Sequence, residues 1–254
     1  MRCFCALLLA VGAVADVGAA LRLGIHADEP APTVAGLLAR RLPEPLRVEV
    51  PVFEDAGELV TALGRGDLDV AFLEEPIRAM EGVEVVSALY PSALHILTAA
   101  GRPADSLEDV LAAPGIWAGA TGGIGHSLAR GLASDYGVTD IALLPDPWSA
   151  EPRVFFIFGG LLAPDALSRL GGYGLFSLDD VARSGHGSVA DGIALRYSNL
   201  RPFVLPAQLY PGLSAEPALT LAVNTLLVTT GALGDDQGYE PVSYTHLRAH
   251  ETGR

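Results

Sequence analysis

The chain has 254 residues, of which 50% are hydrophobic and only 18% are charged. This composition is sufficient for a sizeable core and excludes wholesale disorder. The formal net charge is −14, and all 16 basic residues are arginines. An acidic balance without lysine argues against a nucleic-acid partner, because contact with nucleic acid requires a basic surface.

The two ends of the chain predict segments that lie outside the folded domain. Residues 1–20 have the positive start, short apolar run and small residues of a signal peptide, with an uncleaved membrane anchor as the alternative. Both cysteines, Cys3 and Cys5, lie in this leader, so we expect a periplasmic or extracytoplasmic chain without disulfide or thiol chemistry. Residues 241–254 resemble a translated sequencing adapter and are interpreted as non-native sequence that truncates the natural chain near Glu240.

The first half of the chain alternates predicted strands with predicted helices. In chain order, the patterns predict a strand at 21–27, a helix at 33–42, a strand at 46–53, a helix at 56–66, a strand at 68–75, and one or two strands within 83–100. Such an alternation is typical of a parallel sheet covered by helices.

A second set of elements follows. It comprises a helix at 106–115, a strand at 116–120, a helix at 125–137, strands at 141–145 and 153–160, helices at 163–170 and 178–184, an extended segment at 201–212, and a strand at 218–230. Ser106 is a candidate helix cap and Gly137 a helix stop. Two α/β units in series predict two lobes around a cleft, with ligand residues in the loops that follow the strands.

Three of these loops are acidic. They contain His26 with Asp28 and Glu29, Glu54 with Asp55, and Glu74 with Glu75. Carboxylates at helix starts often serve only as caps and as partners of the helix dipole. Their recurrence at equivalent positions supports a second interpretation, in which the cleft has a negative potential and prefers a ligand with a positive group.

The fourth loop, "GATGGIGHS", is rich in glycine. Its candidate ligand-binding residues are Thr121, Gly122, Gly123, Gly125, His126 and Ser127. Glycines and the free N–H groups of a helix start favour a carboxylate or phosphate, although the same glycines also suit a tight packing turn. The loop lacks the lysine of a P-loop and the spacing of a dinucleotide fingerprint, so a nucleotide site is not predicted.

Catalytic signals are weak. No nucleophile elbow and no zinc motif occurs in the sequence, so we expect no metal, no cofactor and no enzymatic activity. His95 stands alone in an apolar strand and is predicted to be a core or hinge residue.

An ordered set of segments, including "LVTALGRGDLDVAFLEE", "VFFIFGGLLAPDAL" and "ALTLAVNTLLVTT", resembles the solute-binding proteins of the TAXI branch of TRAP transporters. The resemblance implies an α/β, type II periplasmic-binding-protein fold with hinge strands between two lobes. It implies a first lobe formed by 21–98 with 205–240 and a second lobe formed by 99–204. The site loops depart from the family pattern, so the identity of the ligand is not carried over.

The same resemblance implies that the chain delivers a small carboxylate or amino-acid-like solute to a TRAP-type membrane permease. In that interpretation the Gly122–Ser127 turn binds an anionic group, Glu54, Glu74 and Glu75 bind a cationic one, and Tyr210 closes the cleft or belongs to the core. Two alternatives remain open at this point. One is a dehydratase-like enzyme that uses His126 and Glu74, and the other is a sensory module that reports to a membrane partner.

Overall fold

The computed structural model describes residues 20–26, 47–53, 55–74, 82–119, 123–145, 152–160, 170–207, 209–210 and 212–230. Within these ranges the chain forms ten strands, four α-helices and one 3-10 helix. The predicted leader up to residue 19, the predicted helix at 33–42, residues 163–169 of the predicted helix at 163–170, and the adapter-like tail lie outside the described residues.

The elements follow one another in an alternating α/β order. The strands are β1 (Ala20–His26), β2 (Arg47–Glu49), β3 (Val52–Phe53), β4 (Val70–Glu74), β5 (Glu84–Ala99), β6 (Ile116–Trp117), β7 (Val154–Gly159), β8 (Tyr173–Leu175), β9 (Arg201–Leu205) and β10 (Ala218–Thr229). The α-helices are α1 (Ala56–Gly64), α2 (Leu107–Leu111), α3 (Ile124–Asp135) and α4 (Val189–Arg196), and the 3-10 helix is Val181–Arg183.

All ten strands belong to one mixed sheet with the order β2-β1-β4-β10-β5-β7-β6. The short strands β3, β8 and β9 pair with β1, β5 and β10, respectively. The strand β1 is parallel to β2, β3 and β4, and β6 is parallel to β7, as the alternation of strands and helices predicts. The strands β5 and β10 are antiparallel to their neighbours.

Two long strands join the two halves of the molecule. β5 has 16 residues and β10 has 12, so each is long enough to belong to both halves. Thr225–Thr229 of β10 pair with β4, whereas Ala218–Ala222 pair with β9. Ala93–Thr98 of β5 pair with β7. We call the half that contains β1 and β4 lobe 1, and the half that contains β6 and β7 lobe 2.

Each lobe buries apolar side chains on both faces of its part of the sheet. In lobe 1, Leu59 and Leu63 of α1 pack beneath one face, and Phe72 lies in the cluster on the other. In lobe 2, α2, α3 and α4 cover the face that carries Leu94, and Tyr210 lies over the opposite face. Along β5 and β10 the side chains change from the clusters of lobe 1 to those of lobe 2 near residues 92 and 224. The predicted lobe boundaries at 98 and 205 remain predictions.

Local capping explains where several helices begin and end. Ser106 caps α2 as predicted, because its hydroxyl accepts the Asp109 N–H at 3.1 Å. The helix α3 is followed by Gly137, whose φ of +72° is a backbone conformation that favours glycine. The helix α4 was not predicted, although Ser188 begins it with a capping box that is visible in the sequence.

Two predicted elements differ in the structure. The predicted strand at 141–145 is wrong, because only an isolated bridge joins Leu143 to Ile116. The neighbouring strand β6 has only two residues and offers too little edge for a longer ladder. The predicted helix at 178–184 is reduced to the 3-10 turn, whereas the segment within 83–100 forms the single strand β5.

Candidate functional site

The ends of the parallel strands in both lobes meet near the crossing strands. Glu74, the last residue of β4, pairs with Thr225 of β10, and Thr225 also pairs with Tyr90 of β5. Gly159, the last residue of β7, pairs with Ala93, three residues further along β5. The strand-to-helix loops of the two lobes are therefore attached to neighbouring points of the same strand.

A group of polar side chains lies on one face of the sheet at this crossing. Glu74 and Thr225 share a face because they are directly opposite each other. Ser92 belongs to the same face, and its hydroxyl donates a hydrogen bond to the Glu74 carboxylate. Ser92 and Thr225 are completely buried, whereas Glu74 is half-buried. We call Glu74, Ser92 and Thr225 the polar island.

Apolar residues surround the polar island along the same strands. Phe72 and Leu227 belong to the cluster on its lobe 1 side, and Leu94 and Val223 belong to the cluster on its lobe 2 side. Among the residues that the structure describes, the Thr225 hydroxyl has no hydrogen-bond partner. A buried hydroxyl in this condition costs about 1–3 kcal/mol, so its presence between two apolar cores calls for a functional explanation.

The glycine-rich loop is described from Gly123 onward. Gly123 is the N-cap of α3, and no side chain caps this end of the helix among the described residues. A Cβ atom at Gly125 would lie 2.7 Å from the Ala118 carbonyl oxygen and 3.0 Å from that of Phe156. Gly125 is therefore required for the close packing of α3 on β6 and β7, which is the packing interpretation of the loop. Thr121 and Gly122 lie outside the described residues, so their role as anion ligands stays a prediction.

The next two residues of the loop lie in the first turn of α3. His126 is half-buried, and its pKa is lowered by burial and by the positive charge of Arg130. Ser127 is exposed. Glu74, the partner required by the dehydratase-like alternative, lies on the other lobe, at the end of β4.

The acidic residues of the other loops have different roles where they are described. Asp55 is exposed and caps α1, because its carboxylate accepts the Glu58 N–H at 2.9 Å. Asp28, Glu29, Glu54 and Glu75 lie outside the described residues, and His26 is described only as the last residue of β1. Glu74 is thus the described carboxylate that the structure places beside the crossing strands.

Tyr210 lies in the core of lobe 2. It is only 3% exposed, and its hydroxyl lies 2.6 Å from His95 Nε2. His95 occupies the face of β5 opposite the polar island, as its position in the strand relative to Ser92 requires. Burial lowers the pKa of His95 to about 4, with a smaller opposing effect from the carbonyl groups of Ala93 and Ile157. The contact with His95 supports the core role of Tyr210.

Two kinds of feature are absent from the residues that the structure describes. No group of three or more His, Cys, Asp or Glu side chains in the described part of the chain is suited to hold a metal ion. None of the helices in the described ranges is long and apolar enough to cross a membrane.

Sequence reasoning found Glu74 but missed Ser92 and Thr225. Both stand in strongly apolar segments, Ser92 in "YPSALHILTA" and Thr225 in "LAVNTLLVTT". A polar residue inside a buried strand is the signal that points to them, because such residues are usually replaced by apolar ones unless they have a partner or a role.

No family model and no curated protein sequence matches the chain. Among solved structures, the cofactor-binding domain of the Cbl transcriptional regulator has a TM-score of 0.54 at 12% identity, over 91% of this chain and 86% of that one. A reduced form of OxyR from N. meningitidis has a TM-score of 0.50 at 12% identity, over 84% of this chain and 87% of the other. A full-length OxyR variant from Pseudomonas aeruginosa has a TM-score of 0.50 at 13% identity, over 91% and 70% of the two chains.

These neighbours correct the predicted function. The TRAP-transport role and the permease partner are wrong, since the solved structures that this chain resembles are ligand-binding domains of transcriptional regulators, and the dehydratase-like alternative is not supported either. The expectation of no nucleic-acid partner is overturned with them, because these regulators bind DNA as well as small effectors. One scaffold can serve both transport proteins and regulator domains, so a resemblance to the scaffold does not identify the function.

The fold itself is as predicted. The neighbours are LysR-type effector-binding domains, which are regulatory ligand-binding domains and not enzymes. At identities of 12–13%, the similarity between these structures and this chain supports only the fold. The chain has the α/β, type II periplasmic-binding-protein fold.

Proposed function

We propose that this chain is the effector-binding module of a regulatory protein, and that it binds a small organic molecule between its two lobes. The observation that carries the proposal is the polar island at the point where β5 and β10 pass from one lobe to the other. Ligand sites typically have mostly apolar walls and a few convergent polar groups, which is the arrangement around Glu74, Ser92 and Thr225.

The burial pattern of the two crossing strands makes this arrangement unusual. Residues 92–98 of β5 are all buried, and every residue of β10 except Asn224 is buried. In such strands a hydroxyl without a partner lowers the stability of the fold and adds nothing to packing. A bound molecule that supplies the missing hydrogen bond explains why Thr225 is not a valine.

The same strands contain a structural basis for movement between the lobes. The ladder between β10 and β5 shifts register twice, between Thr225 and Leu226 and between Leu227 and Val228. Such irregularities bend a strand and weaken its pairing locally. They lie next to the polar island on its lobe 1 side. A ligand that contacts both lobes stabilises the closed arrangement, and this shift in population is the signal that we propose.

We propose that the module binds its ligand without transforming it, in the manner of the regulator domains that share its fold. One of those neighbours, OxyR from N. meningitidis, is a reduced form, which raises the question of a redox signal. The cysteines of this chain are Cys3 and Cys5, which lie outside the described residues, so we assign the signal to ligand occupancy and not to thiol oxidation.

The proposal is tested by a thermal-shift screen of the full chain against amino acids, dicarboxylates, aromatic acids and polyamines. A ligand present at 100 times its Kd adds about 2.7 kcal/mol to the free energy of unfolding, which a melting curve detects easily. We expect at least one compound class to raise Tm, to lower the radius of gyration in X-ray scattering, and to be recovered unchanged.

The matched control for this screen is Thr220→Val. Thr220 is buried like Thr225, but its hydroxyl donates to the Leu94 carbonyl at 2.6 Å. We expect the hits to stabilise the Thr220→Val variant as they do the parent chain, whereas the response of Thr225→Val is weaker. A screen in which no compound raises Tm would refute the proposal.

A further inference from the structure

The polar island offers mainly hydrogen-bond acceptors. The Glu74 carboxylate accepts only, and Ser92 uses its single hydroxyl hydrogen to donate to that carboxylate. The Ser92 oxygen therefore keeps lone pairs for another donor. The Thr225 oxygen adds two lone pairs and has no hydrogen-bond partner. Counting one oxygen of the carboxylate, three oxygen atoms with accepting capacity thus belong to one small group of side chains.

The strand register brings these three oxygen atoms together. Thr225 lies directly opposite Glu74 on β4 and opposite Tyr90 on β5, two residues before Ser92. Side chains that are directly opposite in an antiparallel pair have Cβ atoms about 4.5–5.5 Å apart. The hydrogen bond between Ser92 and Glu74 shows that the β5 and β4 members also reach each other across β10. We therefore expect one ligand atom to lie within reach of all three oxygen atoms.

We infer that the polar island binds a protonated primary amine, and hence that the effector is a small organic molecule with an ammonium group. This inference rests on the proposed function and specifies the ligand class of the same site. An ammonium group has three N–H donors and a positive charge, which match the three acceptors, one of which belongs to a negatively charged carboxylate. A neutral hydroxyl group has only one donor, and a carboxylate group would be repelled by Glu74.

Burial sets the order of events during binding. Glu74 is the half-buried member of the polar island, whereas Ser92 and Thr225 are fully covered. The ammonium group first meets the Glu74 carboxylate, which keeps the hydrogen bond that it accepts from Ser92. The N–H donors next reach the Ser92 and Thr225 oxygen atoms, so that the Thr225 hydroxyl gains a hydrogen-bond partner.

The experiment uses three probes of equal length, namely pentylamine, pentanol and sodium pentanoate, at pH 7.5 with the full chain. We expect pentylamine alone to raise Tm and to give saturable heat in calorimetric titration. Glu74→Gln keeps the side-chain size and removes the charge, and Thr225→Val keeps the shape and removes the hydroxyl. Loss of a hydrogen bond to a charged group corresponds to about a tenfold or larger increase in Kd, so we expect that increase in each variant.

The controls separate this inference from the proposed function. Thr220→Val is expected to bind pentylamine with the affinity of the parent chain. Any of three results would overturn the inference: equal stabilisation by pentanol or pentanoate, unchanged pentylamine affinity in Glu74→Gln and Thr225→Val, or no response to pentylamine. Stabilisation by NaCl or MgCl2 in place of the amine would overturn it too, since the polar island would then be a metal-ion site. If a compound without an amine still raises Tm and compacts the chain, the effector-binding function stands and only the ligand class is wrong.

Discussion

The buried pair formed by His95 and Tyr210 makes the stability of the fold sensitive to mild acid. The pKa of His95 is lowered from 6.5 to about 4, because burial disfavours the charged imidazolium. The folded state therefore prefers the neutral ring. The contribution of the neutral His95 ring to the free energy of unfolding is complete above pH 6.5. It decreases as the pH falls from 6.5 towards 4, because the unfolded chain binds the proton more readily, and it is lost below that value.

The magnitude follows from the difference between the two pKa values. A shift from 6.5 to about 4 corresponds to about 3 kcal/mol at about 1.4 kcal/mol for each pH unit. Most of this loss occurs between pH 6.5 and 4.5. Carboxylates with lowered pKa, such as that of Asp69 in its ion pair with Arg22, lose their contribution only below the ordinary Asp value of 3.8. The two effects are therefore separated along the pH axis.

The assay is urea unfolding of the full chain between pH 7.5 and 4.5, monitored by circular dichroism. The test variant is the double substitution His95→Phe with Tyr210→Phe, which removes both members of the hydrogen bond and leaves no buried hydroxyl unpaired. We expect the parent chain to lose about 2–3 kcal/mol over this range and the double variant to lose much less. The control is His186→Gln, since His186 is exposed. An equal pH dependence in the parent chain and the double variant would show that His95 is not the group responsible.

Three further predictions concern single side chains, and urea unfolding at pH 7.5 measures all of them. Thr225→Val removes a buried hydroxyl without a partner and is expected to raise the free energy of unfolding by about 1–3 kcal/mol, whereas Thr220→Val removes a satisfied hydrogen bond and lowers it by about 1 kcal/mol. Gly125→Ala places a Cβ against two backbone carbonyl groups and lowers the free energy of unfolding by about 1–3 kcal/mol, and a neutral result would contradict the close packing of α3. Gly192→Ala meets no atom within 4 Å in the exposed part of α4 and is expected to stabilise by about 0.5–1 kcal/mol.

Much of the fold was predictable because hydrophobic periodicity reports local burial directly. The strands β1, β4, β7 and β10 and the helices α1 and α3 agree with the predicted segments to within a few residues. The prediction failed where an element depends on its partner. The apolar segment 141–145 has a strand-like sequence, but the two-residue β6 gives it only an isolated bridge between Leu143 and Ile116. The lengths of neighbouring strands are a tertiary property that no local pattern contains.

The candidate site was only partly predictable for a related reason. Glu74 was identified because it follows a strand, and position after a strand is visible in the sequence. Ser92 and Thr225 belong to the site because they lie on the same face as Glu74, and this depends on the register of three strands. The register shift after Thr225 changes the alternation of faces along β5, so counting residues alone would have misplaced the lobe 1 part of that strand.

The predicted function failed because the resemblance was strongest where the scaffold is most constrained. The quoted segments "VFFIFGG" and "ALTLAVNTLLVTT" are largely β7 and β10, whose side chains are buried in the cores of this fold. Similarity there reflects packing, which binding proteins for transport and for regulation share. The informative residues are those that packing does not require, and Thr225 is the strongest example, since valine would fill the same space without an unpaired hydroxyl. A buried polar position that packing alone does not explain therefore points to the candidate ligand site more directly than any similarity of the core.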